Sequence, residues 1–179
     1  MITVNDSENL IENIYKYEGI ILWMDINNSM NKGFLKYVDI NFPDLKKIEI
    51  KSGYGDTRKL GKVNEIKTKN MTFLICYVYK GREISLKLLD ECSKVIEKTY
   101  NNSRLAFVPP CNENIFFDIF KTLNVDVTIY TKDIIDFNLY YYKKFLTLKT
   151  DYKNKLYTKE EYKNKKVLLE EEQKKGIYF

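Results

Sequence analysis

Residues 71–98 read MTFLICYVYKGREISLKLLDECSKVIEK, and this stretch decides the fold. Its first part, Met71 to Tyr79, is β-branched and aromatic, which predicts a central strand. The apolar residues that follow recur at spacings of three and four, namely Leu88, Leu89, Cys92, Val95 and Ile96. This period predicts a helix with one apolar face. A strand followed directly by such a helix is typical of a layered α/β domain.

The same alternation continues on both sides of this stretch. Ile20 to Met24 is a continuous apolar run after Gly19, which indicates a strand buried on both faces. Further strands are predicted over residues 2–4, 105–108 and 125–129, and further helices over residues 33–38, 45–48 and 116–123. The order of strands and helices predicts a three-layer α/β/α fold with a mixed central sheet.

The composition excludes several classes of chemistry. The chain has 179 residues, which fits one domain, and 30 Lys+Arg against 25 Asp+Glu give a net charge of +5. It contains no histidine, so Ser-His-Asp catalysis, Cys-His catalysis and His-ligated zinc are excluded. Three widely spaced cysteines are too few for a disulfide framework or a four-thiolate metal site. We expect no metal centre and no cofactor.

The chain has neither a secretory signal pattern nor an apolar stretch of the length that spans a bilayer, so we expect no membrane association. A cytoplasmic location follows from the cysteine usage, or the host cytoplasm for a viral protein. Abundant Lys, Asn, Ile and Tyr resemble the codon bias of an AT-rich bacterial, viral or phage genome.

The character of the chain changes from Asp136 onward, where a lysine-rich and glutamate-rich segment begins. Thr158 followed by Glu161 resembles a capping box and predicts a C-terminal helix. We therefore divide the chain into a domain over residues 1–135 and a helical C-terminal extension over residues 136–179. Residues 140–144 read YYYKK, a mixture of aromatics and cations that single-strand binders use, but packing of a helix is the preferred interpretation and direct nucleic-acid binding is not expected.

Two loops lie where an open α/β sheet binds its ligands, beyond the carboxyl ends of strands. The first loop is Asp25 to Gly33 and the second loop is Pro109 to Asn114, and each connects a strand to a helix. Asn and Ser are also ordinary turn and cap residues, so a purely structural role is the alternative. Tyr54 to Thr57 is interpreted as the turn before a strand. Cys111 would need the following helix N-terminus or a lysine to become a nucleophile.

The resemblance to a known family rests on a succession of short motifs. These are the strand from Ile20, MNKGF (30–34), NFP (41–43), LGKV (60–63), the strand and helix of residues 71–98, LAFVPP (105–110) and VDVTIYT (125–131). Over residues 2–131 this succession resembles the macrodomain family. It is most similar to the branch of the terminal ADP-ribosyl-protein glycohydrolases and the DNA-ADP-ribosylation antitoxins, with a degenerate phosphate loop that lacks glycine.

The resemblance implies a role for each residue that matches a family motif. The residues implied on the distal-ribose side are Asn27, Asn28, Ser29, Lys32 and Gly33, with Asp25 near the position of a family asparagine. The residues implied in the diphosphate loop are Pro110, Cys111, Asn112, Glu113 and Asn114. Lys80, at the end of its strand, matches the position of a catalytic lysine, and Glu113 is a candidate for the acidic partner.

Three hypotheses follow. The preferred one is binding of ADP-ribose or a related nucleotide-derived ligand, free or on an ADP-ribosylated macromolecule, in the cleft between the two loops. The second is a glycohydrolase that removes ADP-ribose through Lys80 with Glu113 or Asp25. The third is an interaction protein that has lost the ligand and binds a protein partner through its C-terminal helix.

Overall fold

The computed structural model describes residues 1–30, 33–51, 53–131 and 137–175. Strands occur at β1 Ile2–Asn5, β2 Gly19–Met24, β3 Val63–Lys67, β4 Thr72–Tyr77, β5 Tyr79–Lys80, β6 Glu83–Ile84, β7 Arg104–Phe107 and β8 Asp126–Tyr130. Helices occur at α1 Leu10–Asn13, α2 Gly33–Asn41, α3 Pro43–Lys51, α4 Leu86–Tyr100, α5 Glu113–Phe120, α6 Phe137–Lys153 and α7 Lys159–Lys175. Short 3₁₀ helices occupy Ile14–Lys16 and Thr57–Lys59.

The described residues form two compact units. Among the described residues, the first unit contains 1–30, 44–51 and 53–131, and the second contains 33–43 and 137–175. The boundary that the sequence predicts between residues 135 and 136 lies outside the described residues and stays a prediction. In the structure, the segment of α2 groups with the C-terminal helices.

The first unit is built on a six-stranded sheet with the order β1-β8-β7-β2-β4-β3. Every neighbouring pair is parallel except β3 and β4, which are antiparallel. The sheet is therefore mixed, and helices flank it in the three-layer α/β/α arrangement that the sequence predicts. All six residues of β2 are buried, as expected for a central parallel strand with side chains covered on both faces.

Helix α4 follows the predicted period. The Ser85 hydroxyl caps its N-terminus by accepting the Leu88 N–H at 3.5 Å. Four of the five residues at the predicted apolar spacing are buried: Leu88, Leu89, Cys92 and Ile96. This face packs into the same core as the sheet residues Leu74 and Cys76.

An aromatic cluster supports the carboxyl ends of β2 and β7. The ring centroid of Trp23 lies 5.1 Å from those of Phe107 and Phe116 and 6.1 Å from that of Phe120. Since Trp23 is on β2, Phe107 on β7 and the other two on α5, the cluster joins three elements.

The strand predicted over residues 71–79 is interrupted. Sheet strand β4 ends at Tyr77, the Val78 N–H donates to the Met24 carbonyl at 3.2 Å, and a separate two-stranded hairpin of β5 and β6 follows. Gly81 turns this hairpin with a φ of +63°, a conformation that favours glycine. The expectation that Lys80 ends the sheet strand is therefore wrong, because Lys80 lies in the hairpin and pairs with Glu83.

The second unit is helical. α2, α6 and α7 contact one another, and the α6–α7 pair has a stacked Tyr152–Tyr162 pair with ring centroids 4.5 Å apart. The predicted capping box is confirmed: the Thr158 N–H donates to the Glu161 carboxylate at 2.7 Å and the Glu161 N–H donates to the Thr158 hydroxyl at 3.2 Å.

The YYYKK segment lies in α6. Tyr141 is fully buried, which agrees with packing, while Tyr142 is exposed. Among the helices over the described ranges, none combines the length and the apolar character that crossing a membrane requires.

Candidate functional site

The described part of the first loop in the first unit, residues 25–30, and the second loop begin at one edge of the sheet. They follow β2 and β7, which are parallel neighbours, so both strands end at the same edge. Burial raises the pKa of the Tyr79 hydroxyl, and the charges that Cys111 and Asp25 carry when they are ionised add to the rise. We call this edge of the sheet, where both loops begin, the rim.

Asp25 holds the first loop together from within. Its Oδ1 accepts the Asn27 N–H at 2.8 Å and the Ser29 N–H at 3.3 Å, and its carbonyl accepts the Asn28 N–H at 3.2 Å. This is the local turn chemistry of Asp, in which a carboxylate satisfies nearby backbone donors. Asn27 and Ser29 are exposed, so their side chains are available at the rim.

Asn28 faces the interior. It is 4% exposed and has a φ of +57°, a left-handed conformation that Asn tolerates better than most residues. Its Oδ1 accepts a hydrogen bond from Lys59 Nζ at 3.1 Å. Lys59 is itself 8% exposed, and its Nζ lies 4.5 Å from the centroid of the Tyr77 ring. The structure thus gives Asn28 an internal partner.

The second loop is exposed along Pro110 to Asn114. Helix α5 begins at Glu113, and the Asn112 side chain caps it by accepting the Asn114 N–H at 3.0 Å. Burial raises the pKa of the Cys111 thiol, although the Asn112 N–H opposes that rise. A raised pKa leaves less thiolate at neutral pH, which argues against Cys111 as a nucleophile.

The two candidate catalytic residues are both exposed. Lys80 lies in the β5–β6 hairpin and Glu113 is the first residue of α5. Over the described residues, no hydrogen bond or ion pair joins Lys80 to Glu113 or to Asp25. Lys32 lies outside the described residues. Gly33 begins α2 in the second unit with a φ of +51°, so its predicted role in the cleft stays a prediction.

A cavity of about 400 Å³ lies on the β3 side of the rim and was not predicted from the sequence. Its lining residues are Asp56, Arg58, Lys59, Lys62, Val63, Asn64 and Tyr77. Because β3 is antiparallel to β4, the start of β3 lies beside the end of β4, where Tyr77 is located. The sequence feature that could have indicated this cavity is a group of three cations within five positions, Arg58, Lys59 and Lys62. The preceding turn, residues 54–57, is interpreted from the sequence only as the turn before a strand.

Neither a protein-family model nor a curated protein matches this sequence. The structure is similar to the macrodomain of Mycobacterium tuberculosis DarG, with a TM-score of 0.57 and 18% identity, covering 74% of this chain and 99% of the other. It is also similar to the macrodomain of Thermus aquaticus DarG, with a TM-score of 0.59, 16% identity and 73% and 98% of the two chains covered.

A third similar structure is Thermosipho africanus DarTG in complex with ADP-ribose. Its TM-score is 0.53 at 16% identity, and the match covers 64% of this chain and 38% of the other. The six-stranded order, the flanking helices and these matches agree with the resemblance that the sequence motifs carry. The protein therefore has the macrodomain fold.

Proposed function

We propose that this protein binds ADP-ribose or a related nucleotide-derived ligand in the cleft between the first and second loops. The observation that carries the proposal is the parallel pairing of β2 and β7, which brings the loops that follow these strands to one edge of the sheet. Ligands of open α/β sheets bind at this position. The likeness to a DarTG structure that contains ADP-ribose supports the choice of ligand.

The exposed groups at the rim have suitable chemistry. Asn27 and Ser29 on one loop and Asn112 on the other offer amide and hydroxyl groups, which hydrogen-bond well to sugar hydroxyls. The N-terminus of α5 faces the same edge, and the amide groups at the start of a helix favour an anionic phosphate. Glu113 opposes this effect, since its carboxylate is in the first turn.

Binding without turnover fits this geometry better than hydrolysis. A lysine nucleophile is activated by a desolvated pocket or by neighbouring positive charge. Lys80 is exposed, so it does not lie in a desolvated pocket, and its cross-strand partner in the hairpin is the acidic Glu83. The acid–base arrangement proposed with Glu113 also lacks a joining contact within the described part of the chain.

Calorimetric titration with ADP-ribose and ADP tests the proposal. The wild-type protein should bind ADP-ribose saturably, and Cys111→Tyr should weaken binding by about tenfold or more, because a large side chain would fill the cleft beside Tyr79. The matched control is Asn102→Tyr, an exposed position before β7 at the opposite end of that strand. It should bind as the wild type does. Absence of saturable heat, or equal affinity for both variants, would contradict the cleft.

A second readout separates binding from the alternatives. Incubation with an ADP-ribosylated protein should release no ADP-ribose. Release that Lys80→Ala abolishes would replace the binding proposal with the glycohydrolase. A protein partner that is retained after Cys111→Tyr and lost on truncation after residue 136 would favour the interaction protein.

A further inference from the structure

The positive charge of the chain is concentrated in helices α6 and α7. Residues 137–175 contain 11 lysines and 6 acidic residues, which accounts for the whole net charge of +5, and the rest of the chain is neutral. Tyr152 of α6 stacks on Tyr162 of α7. Lys144, nearer the start of α6, forms an ion pair with Glu172, nearer the end of α7. The two helices therefore run antiparallel.

One face of each helix carries a row of exposed lysines. Residues three, four or seven positions apart lie on the same face of a helix. This spacing places Lys149 and Lys153 together on α6. It also places Lys159, Lys163 and Lys166 together on α7. All five side chains are exposed.

The contacts between the helices place both rows on the same side of the pair. The stacked tyrosines mark the line of contact, and the ion pair of Lys144 and Glu172 lies to one side of it. At about 100° per residue, Lys149 lies about 140° around α6 from Lys144, and Lys166 lies about 120° around α7 from Glu172. Both rows therefore lie on the side opposite the ion pair. We call these five lysines the basic face.

Little negative charge compensates the basic face. Its ion pair within residues 137–175 joins Lys166 to Glu170, with 3.9 Å between the charged atoms, and the other four lysines have none in that range. The same spacing gives the opposite side of the pair a nearly balanced set of charges. These are Asp151, Glu161, Glu172, Lys144 and Lys165.

The chemistry of the basic face fits the backbone of a nucleic acid duplex. Lysines within a row are about 4.5–6 Å apart along the helix axis, and two packed helices are about 8–10 Å apart. Two rows can therefore contact phosphates on two strands. A protein partner fits less well, because the core of a protein interface is depleted in lysine. A membrane surface also fits less well, because interfacial helices bury an apolar face.

We propose that the basic face binds the phosphate backbone of a nucleic acid duplex without sequence preference. Lysine contacts with phosphates position a protein on the duplex but carry no base information. A single strand is the weaker ligand, because such strands bind to exposed aromatic rings and the basic face contains none. The segment YYYKK, from which no nucleic-acid binding is expected, contributes none of the five lysines. The proposal does not rest on the ADP-ribose cleft.

Fluorescence anisotropy of the full chain tests the proposal, with fluorescein-labelled DNA duplexes of two unrelated sequences and the matching single strand. Both duplexes should bind with the same Kd, and the single strand should bind more weakly. Because binding to phosphates releases counterions, raising the salt from about 50 to about 200 mM should weaken duplex binding at least tenfold.

Two double variants test the face itself. Lys149→Gln with Lys163→Gln removes one charge from each row and should raise the Kd for the duplex about tenfold or more. The matched control, Lys143→Gln with Lys165→Gln, removes two charges from the same helices but outside the basic face, and should raise the Kd about threefold or less. All four lysines are exposed, so both variants should fold.

Equal weakening by the two double variants would overturn the proposal, because the net charge and not the basic face would then determine binding. Absence of saturable binding to the duplexes, or tighter binding to the single strand, would overturn it as well. So would tighter binding to phosphatidylserine vesicles or to polyglutamate, in favour of a membrane or an acidic protein. The duplex titration contains no ADP-ribose, so its result is independent of the proposed cleft.

Discussion

The two loops at the rim are held in different ways. The first loop is tied to residues outside itself: the Gly55 N–H donates to the Ile26 carbonyl at 2.8 Å, and Lys59 donates to Asn28 at 3.1 Å. Within the described ranges, the hydrogen bonds of the second loop are local to it and to the start of α5. One wall of the rim is thus fixed by polar contacts, whereas the other depends on the aromatic cluster beneath it. Substitutions in the two walls should therefore have different effects.

The largest effect on stability is expected at Trp23, because the aromatic cluster around it lies beneath both loops. Trp23→Ala removes the indole that packs against Phe107 and Phe116, and should lower the free energy of unfolding by about 3–5 kcal/mol. Trp23→Phe should cost less, because the phenyl ring keeps part of the packing and the buried Nε1 has no hydrogen-bond partner among the described residues. Urea unfolding measures both. Equal losses for the two variants would show that a phenyl ring cannot replace the indole in this cluster.

The polar support of the first loop should give the next largest effect. Lys59→Ala removes the ammonium group that donates to the buried side-chain Oδ1 of Asn28. The substitution should destabilise the protein by about 1–3 kcal/mol in urea unfolding. The matched control is Lys62→Ala, three residues away and exposed, which should change stability by about 0.5 kcal/mol or less. If both variants behaved alike, the first loop would not depend on Lys59.

The second loop should respond mainly at the helix that follows it. Asn112→Ala removes the N-cap of α5 and should cost about 1 kcal/mol, measured as a lower Tm and a lower urea midpoint. Asn112→Ser should restore most of the loss, since Ser is also a good cap. Asn114→Ala is the control, as its contribution to the cap is the backbone N–H. A loss as large as that of Lys59→Ala would remove the difference between the walls.

The smallest effect concerns the turn that carries Lys59. Arg58→Gln should raise the pKa of Asp56 from about 2 towards 3.8, because the hydrogen bonds from Arg58 are the main cause of the low value. A lowered folded pKa stabilises the protein above pH 3.8, and this contribution is lost as the pH falls from about 4 to 2. Carbon-13 NMR titration of the carboxyl group measures the shift, with Lys67→Gln as the control. An unchanged pKa in Arg58→Gln would refute the pairing.

Most of the sheet could be predicted from the sequence because its strands have long or regular apolar patterns. β2 and β8 are examples among the strands, and α4 is an example among the helices. The placement of both loops at one edge follows from the parallel pairing of β2 and β7. The β5–β6 hairpin was missed, since two-residue strands are too short to show a period. Its signal was Gly81 followed by a polar residue.

The candidate site was predictable only in part. The exposure of the second loop could be predicted, because its residues are typical of turns. The inward orientation of Asn28 could not, because it depends on Lys59, which is 31 positions away along the chain. Lysine is rarely buried, so composition gives no reason to place Lys59 inside. The grouping of α2 with α6 and α7 also has no local signal, because it joins segments about a hundred residues apart.

The distribution of cysteines allows a chemical label to be placed at the proposed cleft. Of the three thiols, Cys76 and Cys92 are buried in the core and Cys111 is exposed beside Tyr79. At neutral pH a maleimide fluorophore should therefore attach at one position, on the second loop, and should do so slowly because burial raises the pKa of this thiol and leaves little thiolate. Slower labelling in the presence of a nucleotide would then report occupancy directly.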